Sequence, residues 1–367
     1  MRRRRATAAR AIFAREPGET MAPASSRTPG SLRVRALAAS LPAQLKDGFR
    51  AGQELAPPAT GRSTTVFTVG MGGSAISCDL ARGIVESETP VALHSTRSSE
   101  LPRAVERRSR VVLVSYSGNT WETLRAYETA GRVGAARVVV TSGGELAERA
   151  ERDGVPLLPL PPGLPPRCAV GTIFGGLLGL LDPWFPESNE GRIDRAAGHL
   201  AALIPVYARA RGPAATLAQR IGARLPVVYA ESAFAGVARR WKTQFEENAK
   251  RLANFDELPE ALHNAIVGWD ALTKAEAARY AVILLEWSGA LPLTRRSFGY
   301  LDRLLAQRGA RVLPARLSAE DRLEAVLSGV SLGDHVSLFL AELDAVDPFP
   351  IEAITRLKSS LASKPRR

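Results

Sequence analysis

The chain has 367 residues, of which 45% are hydrophobic and 23% charged, a composition that fits a globular protein of about two domains. Its net charge of +12 forms no basic face with interleaved aromatic side chains, which disfavours a nucleic-acid partner. No apolar run approaches the roughly 20 residues that cross a bilayer, and the two cysteines and four histidines lack metal-ligand spacing. We therefore expect a cytoplasmic protein with no membrane segment, disulfide framework or metal site.

The N-terminal residues 1–34 are predicted to be a disordered basic tail, because arginines are followed there by Pro, Ser, Thr and Gly. An organellar transit peptide would have a similar composition. We favour a plain tail, or a start assigned too early with Met21 as the first residue. Residues 35–190 and 191–367 are expected to form two successive domains.

Strand and helix signals alternate between residues 62 and 182. Strands are predicted at 65–69, 91–95, 110–115, 136–142 and 156–160. Helices are predicted at 74–87, 120–133, 145–152 and 169–182. This alternation predicts a parallel sheet that is covered on both faces, and residues 183–191 are predicted to be a linker.

A second alternation follows a predicted helix at 192–211. Its strands are predicted at 225–231, 281–287 and 311–316, and its helices at 233–252, 295–308, 320–344 and 351–361. The predicted fold class is α/β, with two doubly wound, mainly parallel α/β sandwich domains in tandem. Any site is then expected in the cleft at the carboxyl ends of the strands.

Two turns of similar composition follow the first and third predicted strands: Gly-Met-Gly-Gly-Ser at 70–74 and Ser-Tyr-Ser-Gly-Asn-Thr at 115–120. A strand that ends in Gly or Ser and turns into a helix offers free backbone N–H groups and a positive helix end to an anion. The predicted phosphate ligands are Gly72, Gly73, Ser74, Ser115, Ser117 and Thr120. Ordinary tight turns are the alternative, whereas a dinucleotide site would need a Gly-x-Gly-x-x-Gly pattern and a later acidic residue.

Four further residues are candidates for chemistry. Glu247 near a helix end and His263 in the following loop offer a base and an acid, although Glu247 could form a surface pair with Lys250 and His263 could be structural. Arg167, in a proline-stiffened loop before a buried helix, could stabilise an oxyanion or lie on the surface. Lys358 lies on the last predicted helix, where most lysines face solvent.

Together these motifs resemble the bifunctional phosphoglucose/phosphomannose isomerase family, whose chains carry two sugar isomerase (SIS) domains. The resemblance covers residues 35–362 and depends on the stretches 70–77, 115–124, 165–167, 240–250, 257–264 and 346–358. The serine motif is shared by all SIS proteins. The Glu-Asn-Ala-Lys stretch that begins at Glu247 and the Glu-Leu-Pro-Glu stretch before His263 are more specific.

The resemblance implies an aldose–ketose isomerase that acts on glucose 6-phosphate, mannose 6-phosphate or both. It implies that the serine and threonine hydroxyls bind the 6-phosphate and that Glu247 moves the proton between C1 and C2 through a cis-enediolate. Arg167 would stabilise the enediolate, and His263 and Lys358 would open the sugar ring. The resemblance also implies a homodimer in which His263 reaches the neighbouring subunit's site, and no cofactor, metal or nucleotide.

Three residues depart from the family pattern. Trp121 stands where an acidic residue is common, Cys78 replaces a frequent glycine, and Glu246 replaces an asparagine beside the proposed base. Two alternatives remain. A non-catalytic SIS protein that senses a phosphosugar should lack the base and carry a DNA-binding motif. An amidotransferase-linked isomerase that makes glucosamine 6-phosphate should carry an N-terminal domain with a nucleophilic cysteine.

Overall fold

The computed structural model describes residues 28–56, 64–317 and 319–362. Residues 1–27 of the predicted tail lie outside these ranges, whereas residues 29–34 belong to helix α1, Pro29–Ala39. Helix α1 begins there because the Thr28 hydroxyl accepts a hydrogen bond from the Ser31 amide (3.0 Å) and because proline suits the first helical position. The ordered chain therefore starts before residue 35.

The first sheet confirms the predicted alternation. Its strands are all parallel and have the order β2-β1-β3-β4-β5. The elements are α2 Leu41–Glu54, β1 Thr65–Gly70, α3 Gly72–Glu88, β2 Ala92–Thr96, β3 Arg110–Val114, α4 Trp121–Arg132, β4 Ala136–Thr141, α5 Gly144–Asp153, β5 Leu157–Pro159 and α6 Val170–Leu181.

The second sheet is also parallel, with the order β7-β6-β8-β9. Its elements are α7 Glu190–Tyr207, α8 Pro213–Ile221, β6 Leu225–Glu231, α9 Ala235–Glu247, β7 Asn254–Leu258, α10 Ala265–Ala271, α11 Lys274–Ala277, β8 Tyr280–Trp287, α12 Pro292–Arg308, β9 Arg311–Leu317, α13 Arg322–Leu343 and α14 Glu352–Ala362.

Three features of this half differ from the prediction. Helices α8, α10 and α11 were not predicted. The helix predicted at 233–252 ends at Glu247, because the chain turns at Lys250 with a positive φ of 57°. Strand β7 was not predicted: its Asn-Phe-Asp-Glu-Leu sequence lacks β-branched residues and carries two carboxylates, which gives a weak strand signal. Pairing with β6 makes it the edge strand of the sheet.

One hydrophobic cluster joins an inner face of each sheet through α3, α6, α9 and α13. Helix α13 has the length and hydropathy of a membrane span, but its apolar window is wholly buried in the fold. Helix α3 lies close to α9 and to the 3₁₀ turn Ser232–Phe234 that precedes it. An ideal Cβ on Gly236 would lie 2.8 Å from the Leu80 amide nitrogen, and one on Gly83 would lie 2.2 Å from the Ala233 carbonyl oxygen, so both positions require glycine. This close approach brings α9 to the first sheet, and a domain boundary at residue 190 stays a prediction.

Candidate active site

The two predicted phosphate turns lie side by side. Strands β1 and β3 are neighbours, with Gly70 paired to Val114, so both turns leave the same edge of the sheet. The Ser74 hydroxyl accepts a hydrogen bond from the Tyr116 amide (3.3 Å), and Ser115 donates to the Thr120 hydroxyl (2.8 Å). The predicted hydroxyls are therefore assembled into one cluster.

Glycine is required in the second of these turns. Gly118 has a positive φ of 67°, and an ideal Cβ there would lie 1.7 Å from the Gly143 carbonyl oxygen. Ser117 precedes it and remains half-buried, and its hydroxyl accepts a hydrogen bond from the Asn119 amide (3.3 Å). The turn therefore packs against the β4–α5 loop, with Ser117 and Thr120 half-buried and Ser115 buried.

Arg167 is buried in a short 3₁₀ turn, Pro166–Cys168, that precedes α6. Its Nε donates to Asn248 Oδ1 (2.9 Å), and its Nη2 donates to the carbonyl oxygens of Pro348 (2.8 Å) and Phe349 (3.2 Å). Neutral oxygens therefore satisfy two of its three nitrogens. Its Nη1 lies 3.3 Å from Glu247 Oε2.

Arg167 links the phosphate turns to Glu247. An ideal Cβ on Gly73 would lie 2.9 Å from Arg167 Cα and 3.0 Å from the Pro166 carbonyl oxygen, so the first turn packs directly on the arginine backbone. Glu247 is the last residue of α9 and its side chain is 22% exposed, which leaves the carboxylate accessible from the cleft. The first turn, the Arg167 guanidinium and the Glu247 carboxylate are thus linked through direct contacts.

The alternative surface pair between Glu247 and Lys250 does not form. Lys250 Nζ donates instead to the Glu247 backbone oxygen (2.5 Å) and to the Pro350 carbonyl oxygen (2.7 Å). Partial burial and the neighbouring Arg167 lower the pKa of Lys250. Glu246 turns to its own partner, Lys242, whose Nζ lies 2.7 Å and 2.8 Å from its two carboxylate oxygens.

Two predicted residues are not brought to this surface by the single chain. His263 is exposed between β7 and α10, and its imidazole makes no hydrogen bond or ion pair within the described ranges. Lys358 is exposed on α14, whose side chains at 352–360 all face outward.

The remaining reactive groups do not suggest other chemistry. Burial raises the pKa of Cys78 to about 12 and that of Cys168 to about 11, so both are thiols at neutral pH. Across residues 28–56, 64–317 and 319–362, no three His, Cys, Asp or Glu side chains gather as a metal site requires.

The sequence reasoning missed Asn248, which adjoins the proposed base and accepts from Arg167. A signal was available, because Arg240, Gln244 and Asn248 recur every four residues and so share one helix face.

Residues 210–361 match a family model described as the bacterial phospho-glucose isomerase C-terminal SIS domain. A protein of Caldicellulosiruptor bescii named bifunctional phosphoglucose/phosphomannose isomerase is 31% identical over 88% of this chain and 97% of its own length. An Aquifex aeolicus protein of the same name is 33% identical over 80% of this chain and 88% of its own. The structure of glucosamine-6-phosphate deaminase from Thermotoga maritima shares the fold, with a TM-score of 0.64 at 15% identity over 87% of this chain and 96% of that one.

Proposed function

Because the chain belongs to the bifunctional phosphoglucose/phosphomannose isomerase family, we propose that it interconverts glucose 6-phosphate and mannose 6-phosphate with fructose 6-phosphate. The observation that carries this proposal is the position of Arg167 between the Gly73 turn and the Glu247 carboxylate. That arrangement provides an anion site, a cation and a base in one cleft. A phosphosugar sensor that does not turn over its ligand would need the anion site but neither the cation nor the base.

The phosphate is bound at the non-reacting end of the sugar. Ser74, Ser115, Ser117 and Thr120 supply hydroxyl donors, and Gly72 and Gly73 allow close approach to the backbone at the start of α3. Binding energy from this end positions C1 and C2 for reaction.

Glu247 is the base that removes a proton from one carbon and returns it to the next. The negative charge then spreads over the two oxygens of a cis-enediolate. Arg167 stabilises this charge through Nη1, because Nε and Nη2 are already bound to the protein.

Ring opening falls to His263 and Lys358, which can donate and accept protons near the ring oxygen. We propose that His263 reaches the site of a second subunit in a homodimer. The exposed Val267, one helical turn beyond His263, and the exposed Ile354 and Leu357 beside Lys358 support this assembly, since they place apolar area next to both residues. A cytoplasmic location is proposed from the two free cysteines, which suit a reducing compartment.

The test is to add each epimer to the purified protein and to follow the formation of fructose 6-phosphate. We expect turnover of both 6-phosphates and none of unphosphorylated glucose or mannose. In deuterium oxide, product deuterated at C1 or C2 is expected if an enediolate forms. Purified dimer that binds both sugars without forming fructose 6-phosphate would instead favour the sensor.

The dimer proposal has its own test. Glu247→Gln and His263→Ala are each expected to be inactive, but mixing them in equal amounts with subunit exchange should restore about a quarter of wild-type activity. In the mixed dimer, one site combines both changes and the other is intact. Mixtures that stay inactive, although they form mixed dimers, would place His263 in the site of its own chain.

A further inference from the structure

We propose that Asn248 is a positioning residue for the reaction: it sets the direction of the Arg167 guanidinium, and a buried polar network between α9 and α13 fixes Asn248 in turn. This inference depends on the proposed function, in which Arg167 faces the enediolate. It assigns a role to the face of α9 that lies beside the proposed base.

The network begins with a polar stripe on α9 and its C-cap. Arg240, Gln244 and Asn248 are all buried, which is unusual for such side chains unless each is paired. They face Asp334 and Ser337 of α13. Asp334 binds Arg240 through both carboxylate oxygens (2.9 Å and 2.7 Å) and also accepts from Gln244 Nε2 (2.8 Å).

This network contacts Arg167 at two separate atoms. Arg240 Nη2 donates to the Arg167 backbone oxygen (3.1 Å), which fixes the 3₁₀ turn. Asn248 Oδ1 accepts from Arg167 Nε (2.9 Å), which fixes the side chain. Together they hold both ends of the residue.

Asn248 cannot rotate without losing hydrogen bonds. Its Nδ2 donates to Ser337 Oγ (2.9 Å), and the same hydroxyl donates to the Asp334 backbone oxygen (2.6 Å). Since the Asn248 side chain is fully buried, no water would replace a lost partner. The amide therefore presents its oxygen, and not its nitrogen, to Arg167.

The neutral amide has an electrostatic consequence. A carboxylate at this position would also accept from Nε but would neutralise the guanidinium, and with it the attraction for a developing anion. Asn248 orients Arg167 without adding a second negative charge to that of Glu247, whose Oε2 lies 3.3 Å from Nη1, so the guanidinium is paired with one carboxylate and not with two.

The experiment compares two inhibitors. A five-carbon aldonic acid 5-phosphate carries a carboxylate in place of the enediolate oxygens, whereas sorbitol 6-phosphate has the phosphate and hydroxyls without that charge. Their inhibition constants, together with kcat and KM, are measured for wild type, Asn248→Ala, Asn248→Asp and Ser337→Ala. Ser331→Ala is the matched control, because Ser331 is buried one turn before Asp334 on α13 and its hydroxyl has no partner among the described residues.

We expect Asn248→Ala to lower kcat by roughly 10- to 100-fold and to weaken the aldonate by a similar factor, while sorbitol 6-phosphate and KM change little. Asn248→Asp should weaken binding of the aldonate at least as much, although aspartate has the same size as asparagine. Ser337→Ala should lower kcat and weaken aldonate binding as well, but by smaller factors. Ser331→Ala should match wild type.

A wild-type protein that does not isomerise either sugar would refute the proposed function itself. An active wild type whose Asn248→Ala and Ser337→Ala variants weaken both inhibitors equally would show a purely structural role and overturn this inference. If the Asn248 variants do not fold, Ser337→Ala, which keeps Asn248, decides between these outcomes.

Discussion

The carboxyl ends of the two sheets have the same topology but opposite chemistry. At the first, the strands end in Gly and Ser, and the hydroxyls of Ser74, Ser115 and Thr120 converge. At the second, β6 ends in Glu231 and the penultimate residue of β8 is Glu286, and burial raises the pKa of both carboxyls. An anion is favoured at one edge and opposed at the other.

The loop after β8 shows the contrast most clearly. It carries a Ser-Gly pair, Ser288 and Gly289, directly after the strand, and the loop after β3 also carries one, Ser117 and Gly118, a little further from its strand. Arg295 Nη1 donates to the carbonyl oxygens of Ser288 and Ala290 (2.8 Å each), so the backbone of this loop presents acceptors to a cation. An anion site needs the reverse, with N–H groups and hydroxyls facing outward.

Aromatic packing also fills the second edge. The Trp287 ring lies 5.8 Å from the Phe234 ring, and the Arg322 guanidinium lies 5.8 Å from Trp287. The second half therefore contributes to the cleft through helix α9, which carries Glu247 to the first sheet. In the proposed function, the first sheet supplies the phosphate-binding edge and the second half supplies the base, and the side chains at the strand ends account for this division.

The largest expected effect tests the contribution of α9. Glu247→Gln should lower kcat by about 10²- to 10⁴-fold, because an amide cannot accept the carbon-bound proton, while the affinity for phosphosugar persists. Steady-state kinetics and calorimetric binding measure the two quantities. The matched control is Glu246→Gln, whose native carboxylate is paired with Lys242 and should affect kcat little. Equal losses in both variants would reject Glu247 as the base.

The next effect tests the contact between the first turn and Arg167. Gly73→Ala should lower kcat/KM by about 100-fold, because its Cβ would displace the Arg167 backbone. Gly289→Ala at the second edge is the counterpart, since its Cβ would meet a side chain, the Trp287 ring at 2.3 Å, and no residue of the proposed site. We expect it to retain wild-type kcat/KM. Wild-type kinetics for Gly73→Ala would show that catalysis does not depend on the contact between the Gly73 turn and the Arg167 backbone.

A smaller effect distinguishes the two serine loops. Ser117→Ala should raise KM about tenfold or more, as expected for the loss of one hydrogen bond to a charged group, whereas kcat should change less. Ser288→Ala should leave both constants unchanged. The measurement is KM for fructose 6-phosphate at fixed ionic strength. An unchanged KM for Ser117→Ala would count against the phosphate site.

The sequence predicted the neighbouring positions of the two Gly/Ser turns for a physical reason, whereas their role as a phosphate site stays a prediction. The β-branched runs of β1 and β3 and the Gly/Ser turns that follow them are local signals, and the order of parallel strands places both turns at one edge. The resemblance added the proposed roles of Glu247 and Arg167. Composition and spacing alone left a surface position open for both residues.

Other features depend on contacts that no local pattern encodes. Arg167 and Glu247 are 80 residues apart, and their proximity depends on the close approach of α3 to α9 and to the turn before it, at Gly236 and Gly83. Strand β7 carries two carboxylates and forms through its pairing with β6. Helix α1 begins within an arginine- and proline-rich stretch because Thr28 caps it.

The smallest expected effect concerns the pH dependence of stability at the second edge. Burial raises the pKa of Glu231 in the folded protein, so the folded state holds this proton to a higher pH than the unfolded chain does. Stability that is present below the ordinary titration range of glutamate is then lost as the pH rises through the folded pKa. Glu231→Gln cannot ionise and should melt at a higher temperature than wild type at neutral pH, with the difference vanishing near about pH 4.

Thermal melts across a pH series measure this difference, and isomerase assays of the same variant test its meaning. Activity should be unchanged, because the phosphate site is proposed at the other sheet and Glu231 lies outside it. A variant that gains stability but loses turnover would show that the second edge takes part in the reaction. The division of roles between the hydroxyl-lined first edge and the carboxylate-bearing second edge would then be wrong.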